Sequence, residues 1–197
     1  MTAAARHQFL WLDLETTGLV PNDGRILEFA AVLCADASGD DLAVVEQYSG
    51  AIHWPAAELA GLQRDGYVDD YVYRMHIANE LWADVETSDA SLADAEGFLV
   101  ELADDLLGAK PGARAPAKLR LAGNSVGQFD LQWIRKWMPD FAKRLSHQCF
   151  DVSTLSAAAS TWGPGIDIGE PAHRALPDVL RSIEIARRFR AAAGWAK

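Results

Sequence analysis

Hydrophobic and polar positions along the first fifty residues predict three closely spaced strands. Residues 8–13 form an apolar run, a turn-rich connection follows, and Arg25–Ala35 is a second apolar run with Glu28 inside it. Residues 42–53 alternate loosely and predict a third strand. Because these strands are joined by short connections rich in turn residues, we expect them to form an antiparallel meander.

From about Ala56 the spacing of apolar residues becomes helical. Ser91 is a good N-cap with Asp94 three residues on, and it opens a helix that we expect to end at Leu107. A Gly- and Pro-rich loop covers Gly108–Lys118, and Leu119–Gly123 predicts a fourth strand. Three further helices are predicted over Phe129–Trp137, Val152–Thr161 and Ala175–Ala193.

The order of these elements predicts the fold class. Strands come first and are followed by strands that alternate with helices, which favours an α/β protein with a mixed sheet flanked by helices. A length of 197 residues indicates a single domain over residues 1–197. We expect Trp54, Trp82, Trp133, Trp137 and Trp162 to be core residues.

Composition narrows the class of protein. Half of the residues are hydrophobic, but no apolar run approaches the roughly 20 residues that cross a bilayer. The segment Met1–His7 is too short and too polar for a signal peptide, so we expect a cytoplasmic protein with no membrane partner. The net charge of −10 argues against charge-driven binding of long nucleic acids, although a short phosphodiester substrate remains compatible with it.

Two acids at the end of the first apolar run, Asp13 and Glu15, are the most informative chemical feature. Asp13 and Glu15 are two residues apart, so in a strand their side chains project from the same face. Two adjacent carboxylates in an apolar setting repel each other and are costly to desolvate. A hard divalent cation with oxygen ligands removes both costs, whereas a pair of solvated edge-strand acids is the simpler alternative.

Three further residues follow in a recognisable order. Asp130 lies near the start of a predicted helix, and His173 precedes the last helix, with Asp178 in the first turns of that helix. An acid in a first turn is by itself most often a residue that complements the helix dipole. The joint order of D-x-E-x-T-G, a central F-D pair and H-x-A-x-x-D makes coincidence a weaker explanation.

This order resembles the DEDDh group of 3′→5′ exonucleases, which have an RNase H-like fold, and within it the oligoribonucleases. Asp13–Leu19 resembles the first motif of the group, and His173–Asp178 resembles its closing motif. Gly123–Gln128 and Asp151–Leu155 are similar to segments more particular to oligoribonucleases. The sequence departs from that pattern at Phe129, which intervenes before Asp130.

The resemblance implies a metal-dependent exoribonuclease that hydrolyses short oligoribonucleotides to nucleoside 5′-monophosphates. Two divalent cations, Mg²⁺ or Mn²⁺, about 3.5–4 Å apart would neutralise charge on the attacking and leaving oxygens. Asp13 would bridge the two ions, Glu15 and Asp178 would hold one, and Asp130 would hold the other. His173 would be the general base, because an imidazole has an unperturbed pKa of roughly 6.5.

The same resemblance implies residues that bind the substrate, a short single-stranded oligonucleotide. Leu19 and Tyr71 would stack on bases, with Tyr71 standing where the family usually has a tryptophan, and His76 and Ser125 would contact phosphate. Gln128 is a further recognition candidate. Core packing or helix capping is the alternative for each of these residues. Oligoribonucleases are homodimers, so a homodimer is expected by analogy.

Two competing hypotheses remain open at this stage. One is a DEDDh exonuclease that prefers single-stranded DNA in repair or proofreading, which the pair Phe129-Asp130 mildly favours. The other is a catalytically inactive RNase H-like binding module. The five intact catalytic-type residues argue against the inactive module, because a retired site has no physical need to keep mutually repelling acids.

Overall fold

The computed structural model describes five stretches of the chain: residues 9–35, 42–108, 118–163, 165–166 and 169–194. Its described residues form a five-stranded sheet with strand order β3-β2-β1-β4-β5. The strands are β1 (Leu10–Thr16), β2 (Ile26–Cys34), β3 (Val44–Ala51), β4 (Leu121–Gly123) and β5 (Phe150–Asp151). The first three are antiparallel, whereas β4 runs parallel to β1 and β5 runs parallel to β4. The predicted mixed sheet is therefore confirmed.

Eight helices accompany the sheet in the described part of the chain. They are α1 (Ala56–Arg64), α2 (Asp70–Ala78), α3 (Leu81–Thr87), α4 (Leu92–Leu107), α5 (Asp130–Trp137), α6 (Pro139–Ala142), α7 (Val152–Trp162) and α8 (Ala175–Ala192). Helix α4 begins with the predicted capping box, in which Ser91 and Asp94 satisfy each other's backbone N–H groups. None of the described helices is long and apolar enough to cross a bilayer.

Side chains of β1 alternate between two hydrophobic cores, one on each face of the sheet. Leu10, Leu12 and Leu14 belong to the core that contains residues of α4 and α5. Trp11 belongs to the other core, which is built with Val179 and further residues of α8. The odd-numbered positions of β1 therefore face α8, and the carboxylates on that face point toward the helix that carries Asp178.

Burial explains why the central strands are nearly continuous apolar runs. Every residue of β2 is buried, and in β1 only Asp13 is partly exposed, because helices cover both faces there. Strand β3 lies at the edge of the sheet and is largely exposed, which accounts for its looser alternation.

Several details differ from the sequence-based expectations. Strand β1 extends to Thr16, beyond the predicted end, and β5 was not predicted because two residues carry no periodicity. The prediction that Trp162 is a core residue is wrong: its side chain is 85% exposed at the last residue of α7. Together with Phe189, Trp162 lines an apolar groove at the surface and does not enter the core. Most of the predicted loop Gly108–Lys118 lies outside the described residues.

Candidate active site

Four acids from three separate elements line one cavity. Strand β1 contributes Asp13 and Glu15, α5 contributes Asp130 as its first residue, and α8 contributes Asp178 in its first turn. The cavity has a volume of about 900 Å³. The structure thus brings together the four acids that the sequence singles out, although more than 160 positions separate the first from the last.

Asp130 is held directly against β1. Its Oδ1 accepts a 2.9 Å hydrogen bond from the amide of Leu14, the residue between Asp13 and Glu15. Its Oδ2 is buried and has no hydrogen-bond partner among the described residues. A buried carboxylate oxygen without a donor is costly, so this atom is suited to a cation ligand.

Burial and mutual repulsion favour the protonated form of Asp13, Glu15 and Asp130 in the metal-free protein. Burial, followed by the charges of Asp130 and Glu15, raises the pKa of Asp13 well above its usual range. Burial and the charge of Asp178 raise the pKa of Glu15 to about 8. Burial likewise raises the pKa of Asp130, although its backbone hydrogen bonds oppose the change. Such clustered, perturbed carboxylates in a cavity are typical of functional sites.

The donor atoms fit a hard divalent cation. Ligand atoms of Glu15, His173 and Asp178 all lie within 4.8 Å of one another, with Glu15 and Asp178 buried. Carboxylate oxygens are the ligands that Mg²⁺ and Mn²⁺ prefer, and Asp130, with its buried unpartnered oxygen, lines the same cavity. A bound cation would also compensate the repulsion that raises the pKa values of the acids.

His173 lies beside Glu15 and Asp178, two residues before α8 begins. It is half-buried, lines the cavity, and adopts a left-handed backbone conformation with φ of 53°. A non-glycine residue in this conformation is uncommon and is often found at functional sites. The predicted position of His173 directly before the last helix is confirmed.

The five predicted substrate-binding residues line the same cavity. They are Leu19, Tyr71, His76, Ser125 and Gln128. Leu19 and Tyr71 are 77% and 70% exposed, so each presents an apolar surface to solvent at the cavity wall. Large exposed apolar side chains beside a polar cavity are suited to contact with a ligand.

His76 is fully buried beneath the cavity. Its Nε2 is 3.2 Å from the carbonyl oxygen of Thr16 and 3.6 Å from Oε2 of Glu15. Burial lowers the pKa of His76 to about 4, so the imidazole is neutral at pH 7. It therefore adds no positive charge to the acids in the metal-free protein.

Sequence reasoning missed the residues that support the site from outside the cavity. Asp151 accepts hydrogen bonds from the amides of Ser125 and Gly127 and from Ser153, which fixes the loop after β4. Glu28, buried in β2, pairs with Arg174 next to His173. An acid inside an otherwise apolar strand was the available signal for Glu28, since such a group requires a partner.

Sequence similarity to curated proteins covers nearly the whole chain. No protein-family model matches it. Proteins named oligoribonuclease from Hahella chejuensis and Salmonella typhimurium are 34% and 33% identical to it. Their alignments cover 94% and 92% of this chain and the same shares of theirs. The oligoribonuclease of Corynebacterium diphtheriae is 33% identical over 94% of this chain and 82% of its own.

Solved structures with a similar fold are larger. The complex of E. coli exonuclease I with a dT13 oligonucleotide superposes with a TM-score of 0.65 at 16% identity. The match covers 95% of this chain and 42% of that one. The zinc-bound exonuclease I complex with single-stranded DNA gives a TM-score of 0.64 over 93% of this chain and 40% of that one. The predicted RNase H-like fold is confirmed, and the chain spans about two-fifths of these structures.

Proposed function

The chain belongs to the oligoribonuclease family, and on that premise we propose that it is a metal-dependent 3′→5′ exoribonuclease. It hydrolyses short oligoribonucleotides to nucleoside 5′-monophosphates. The observation that carries this proposal is the meeting of Asp13, Glu15, Asp130, Asp178 and His173 in one cavity. Identity of about a third along almost the full length of several oligoribonucleases supports it.

Two divalent cations, Mg²⁺ or Mn²⁺, complete the proposed site. Asp13 would bridge them, Glu15 and Asp178 would hold one, and Asp130 would hold the other through its buried Oδ2. When bound, such ions offset the negative charge on the attacking and leaving oxygens of the phosphodiester. The four side chains would place those ions, since their positions are fixed by a strand and two helices.

His173 acts as the general base in this proposal. Its imidazole takes a proton from the attacking water while the water oxygen forms a bond to phosphorus and the P–O3′ bond breaks. The leaving 3′-oxygen takes a proton from solvent, and His173 later returns its own proton to solvent. The products are a nucleoside 5′-monophosphate and an oligonucleotide one residue shorter, with a free 3′-hydroxyl.

The cavity supports a short substrate. A volume of about 900 Å³ is at the upper end of the range for pockets that hold small ligands, roughly 300–1,000 Å³. Leu19 and Tyr71 would stack on bases, and Ser125 would contact phosphate, with Gln128 beside them. His76 has no exposed surface, so in this proposal it supports Glu15 from below instead of making the phosphate contact expected from the sequence. The net charge of −10 disfavours extended contacts with a long polyanion.

Substrate preference decides between this function and its alternatives. A DEDDh exonuclease preferring single-stranded DNA is the second candidate, which the Phe129-Asp130 pair favours. The test is hydrolysis of a labelled diribonucleotide and of a long single-stranded DNA, each with Mn²⁺ and with EDTA. We expect metal-dependent cleavage of the diribonucleotide in preference. Preference for the DNA would favour the alternative, and absence of hydrolysis in both would favour a binding module.

We also propose a homodimer of single-domain chains in the cytoplasm, by analogy with the family. Light scattering on a sizing column would measure the mass of the particle. A particle of one chain at micromolar concentration would contradict the dimer without affecting the proposed chemistry.

A further inference from the structure

The backbone around His173 is restrained from several sides. Oδ1 of Asp178 accepts a 2.9 Å hydrogen bond from the amide of Ala172, and Oε2 of Glu28 accepts a 2.7 Å hydrogen bond from the amide of Ala175. These contacts hold the residues on either side of His173. The left-handed conformation of His173 is intrinsically unfavourable, so it persists only because surrounding contacts determine it.

Asn79 makes the contact to His173 itself. It is the C-cap residue of α2, and its side-chain amide donates a hydrogen bond to the carbonyl oxygen of His173. Its Oδ1 accepts from the amide of Leu81 at 3.2 Å, which orients the side chain. The Asn79 side chain therefore ties the peptide unit of His173 to the junction between α2 and α3.

Arg174, the residue after His173, binds Asn79 and two acids. Its guanidinium donates to the carbonyl oxygen of Asn79 at 3.1 Å, to Glu28 at 2.9 Å and to Asp84 at 2.7 Å. Glu28 lies in buried β2 and Asp84 in α3. A planar guanidinium with several fixed donors suits such a junction, because one side chain can fix three acceptors at once.

We infer that Asn79 and Arg174 are positioning residues that hold the His173 imidazole in its working position, as Asn79 binds the His173 carbonyl and Arg174 binds Asn79. The inference rests on the proposed function, in which His173 is the general base. Neither residue is among those that line the cavity. Loss of either contact would therefore leave substrate binding intact and release the backbone of the base.

Substitution of Asn79 tests this inference with the separation of kcat from KM. We expect Asn79→Ala to lower kcat for a diribonucleotide by about 10-fold to 100-fold, the usual effect of releasing a supporting hydrogen bond. KM should stay within about twofold of wild type, because displacing a catalytic group acts on the chemical step. Arg174→Lys keeps the positive charge next to Glu28 but loses the planar set of guanidinium donors. It should therefore also lower kcat.

A double variant distinguishes positioning from general damage. If Asn79 acts through His173, adding Asn79→Ala to His173→Ala should change kcat by less than about twofold, since the coupled effects are not additive. A further loss as large as that in the wild-type background would overturn the inference. So would an unchanged kcat in both Asn79→Ala and Arg174→Lys.

Matched controls come from contacts away from the cavity. Arg144 binds Asp104 with two hydrogen bonds, and its side chain is 28% exposed against 27% for Arg174. Ser88→Ala removes a side-chain hydrogen bond to the carbonyl oxygen of Ala51, as Asn79→Ala removes one to His173. We expect Arg144→Lys and Ser88→Ala to keep wild-type kcat. Equal losses in these controls would overturn the inference, because stability alone would then explain the effect.

The outcome separates the two proposals. If His173→Ala cuts turnover by about 10²-fold or more while Asn79→Ala and Arg174→Lys keep it, the inference fails and the proposed function stands. If wild type hydrolyses no oligonucleotide, or His173→Ala keeps full turnover, the proposed role of the base fails and the inference fails with it.

Discussion

The amide nitrogen of Leu14 donates a 2.9 Å hydrogen bond to Oδ1 of Asp130, a residue 116 positions later. Leu14 lies between Asp13 and Glu15 on β1, so this one contact places the acid of α5 beside the two acids of the strand. The other oxygen of Asp130 is left buried and unpartnered within the described residues. One carboxylate thus joins the fold to the proposed metal site.

Replacement of Asp130 by asparagine tests this dual role. Asp130→Asn keeps an acceptor for the Leu14 amide but removes the charge, so we expect turnover to fall at least about 100-fold through lost charge compensation. Measured in EDTA at pH 8, the Tm of Asp130→Asn should rise by a few degrees, because the variant no longer buries a carboxylate charge. A change of about 1 kcal/mol in the free energy of unfolding shifts the Tm by about 2–4 °C in a chain of this size. Asp140→Asn, an exposed change of equal charge, should alter neither quantity. Wild-type turnover in Asp130→Asn would contradict the assignment.

The stability of the metal-free protein should fall as the pH rises. The pKa of Glu15 is raised from its ordinary 4.5 to about 8, so the folded state binds its proton more tightly than the unfolded state. The resulting contribution to the free energy of unfolding is complete below pH 4.5 and is lost as the pH rises through 8. We expect the Tm in EDTA to decrease between pH 5 and pH 8.

Two comparisons check the origin of this pH dependence. Glu15→Gln should show a shallower decrease, because it removes one of the titrating groups. Mn²⁺ at pH 8 should raise the Tm of wild type, since a ligand of the folded state stabilises it by mass action. A Tm in EDTA that climbs over this pH range would contradict the raised pKa values.

If bases stack on exposed apolar side chains, removal of those side chains should raise KM. Stacking is worth about 1–3 kcal/mol per base, or roughly 5-fold to 150-fold in affinity. We expect Leu19→Ala and Tyr71→Ala to raise KM for a diribonucleotide within that range, with a smaller effect on kcat. Tyr67, also exposed but outside the residues that line the cavity, provides the control Tyr67→Ala. Equal KM values in Tyr67→Ala and Tyr71→Ala would argue against stacking at Tyr71.

Much of the fold and the site follows from local patterns in the sequence. The apolar runs and their periods predicted the three antiparallel strands and the helices α4, α5, α7 and α8, because burial on a face imposes the period. The motif order singled out the four acids and His173, and the family resemblance implied five further residues; all ten line one cavity in the structure. Spacing alone places only Asp13 and Glu15 on one face of β1, whereas the meeting of the other residues was implied by the family resemblance.

Contacts between distant segments could not be predicted in the same way. Arg174 meets Glu28 across 146 positions and Asp84 across 90, and no periodicity in the sequence relates these residues. The exposure of Trp162 was missed for a related reason. The spacing of apolar residues shows which face of a helix is buried, but not how far along the helix the packing partner extends. Long-range partners depend on packing that a single sequence does not encode locally.

A glycine beside the site provides a test of the packing. A Cβ at Gly123, the last residue of β4, would lie 2.5 Å from the carbonyl oxygen of Leu12. We expect Gly123→Ala to cost about 1–3 kcal/mol in the free energy of unfolding, as overpacking does. A Cβ at Gly97 in α4 would meet no described atom within 4 Å outside its own stretch of helix, so Gly97→Ala should stabilise by about 0.4–1 kcal/mol. Urea unfolding measures both, and an equally stable Gly123→Ala would contradict the close approach of β4 and β1.

The central claim is that the cavity lined by Asp13, Glu15, Asp130, Asp178 and His173 is a metal-dependent 3′→5′ exonuclease site. The most direct test follows a short 5′-labelled oligoribonucleotide over time with Mn²⁺, with EDTA, and with the Asp13→Ala variant. The account predicts a ladder of labelled products that shortens by one nucleotide at a time from the 3′ end, only in wild type and only with metal. Release of the 5′ label first, shortening in EDTA, or an unaltered ladder with Asp13→Ala would contradict it.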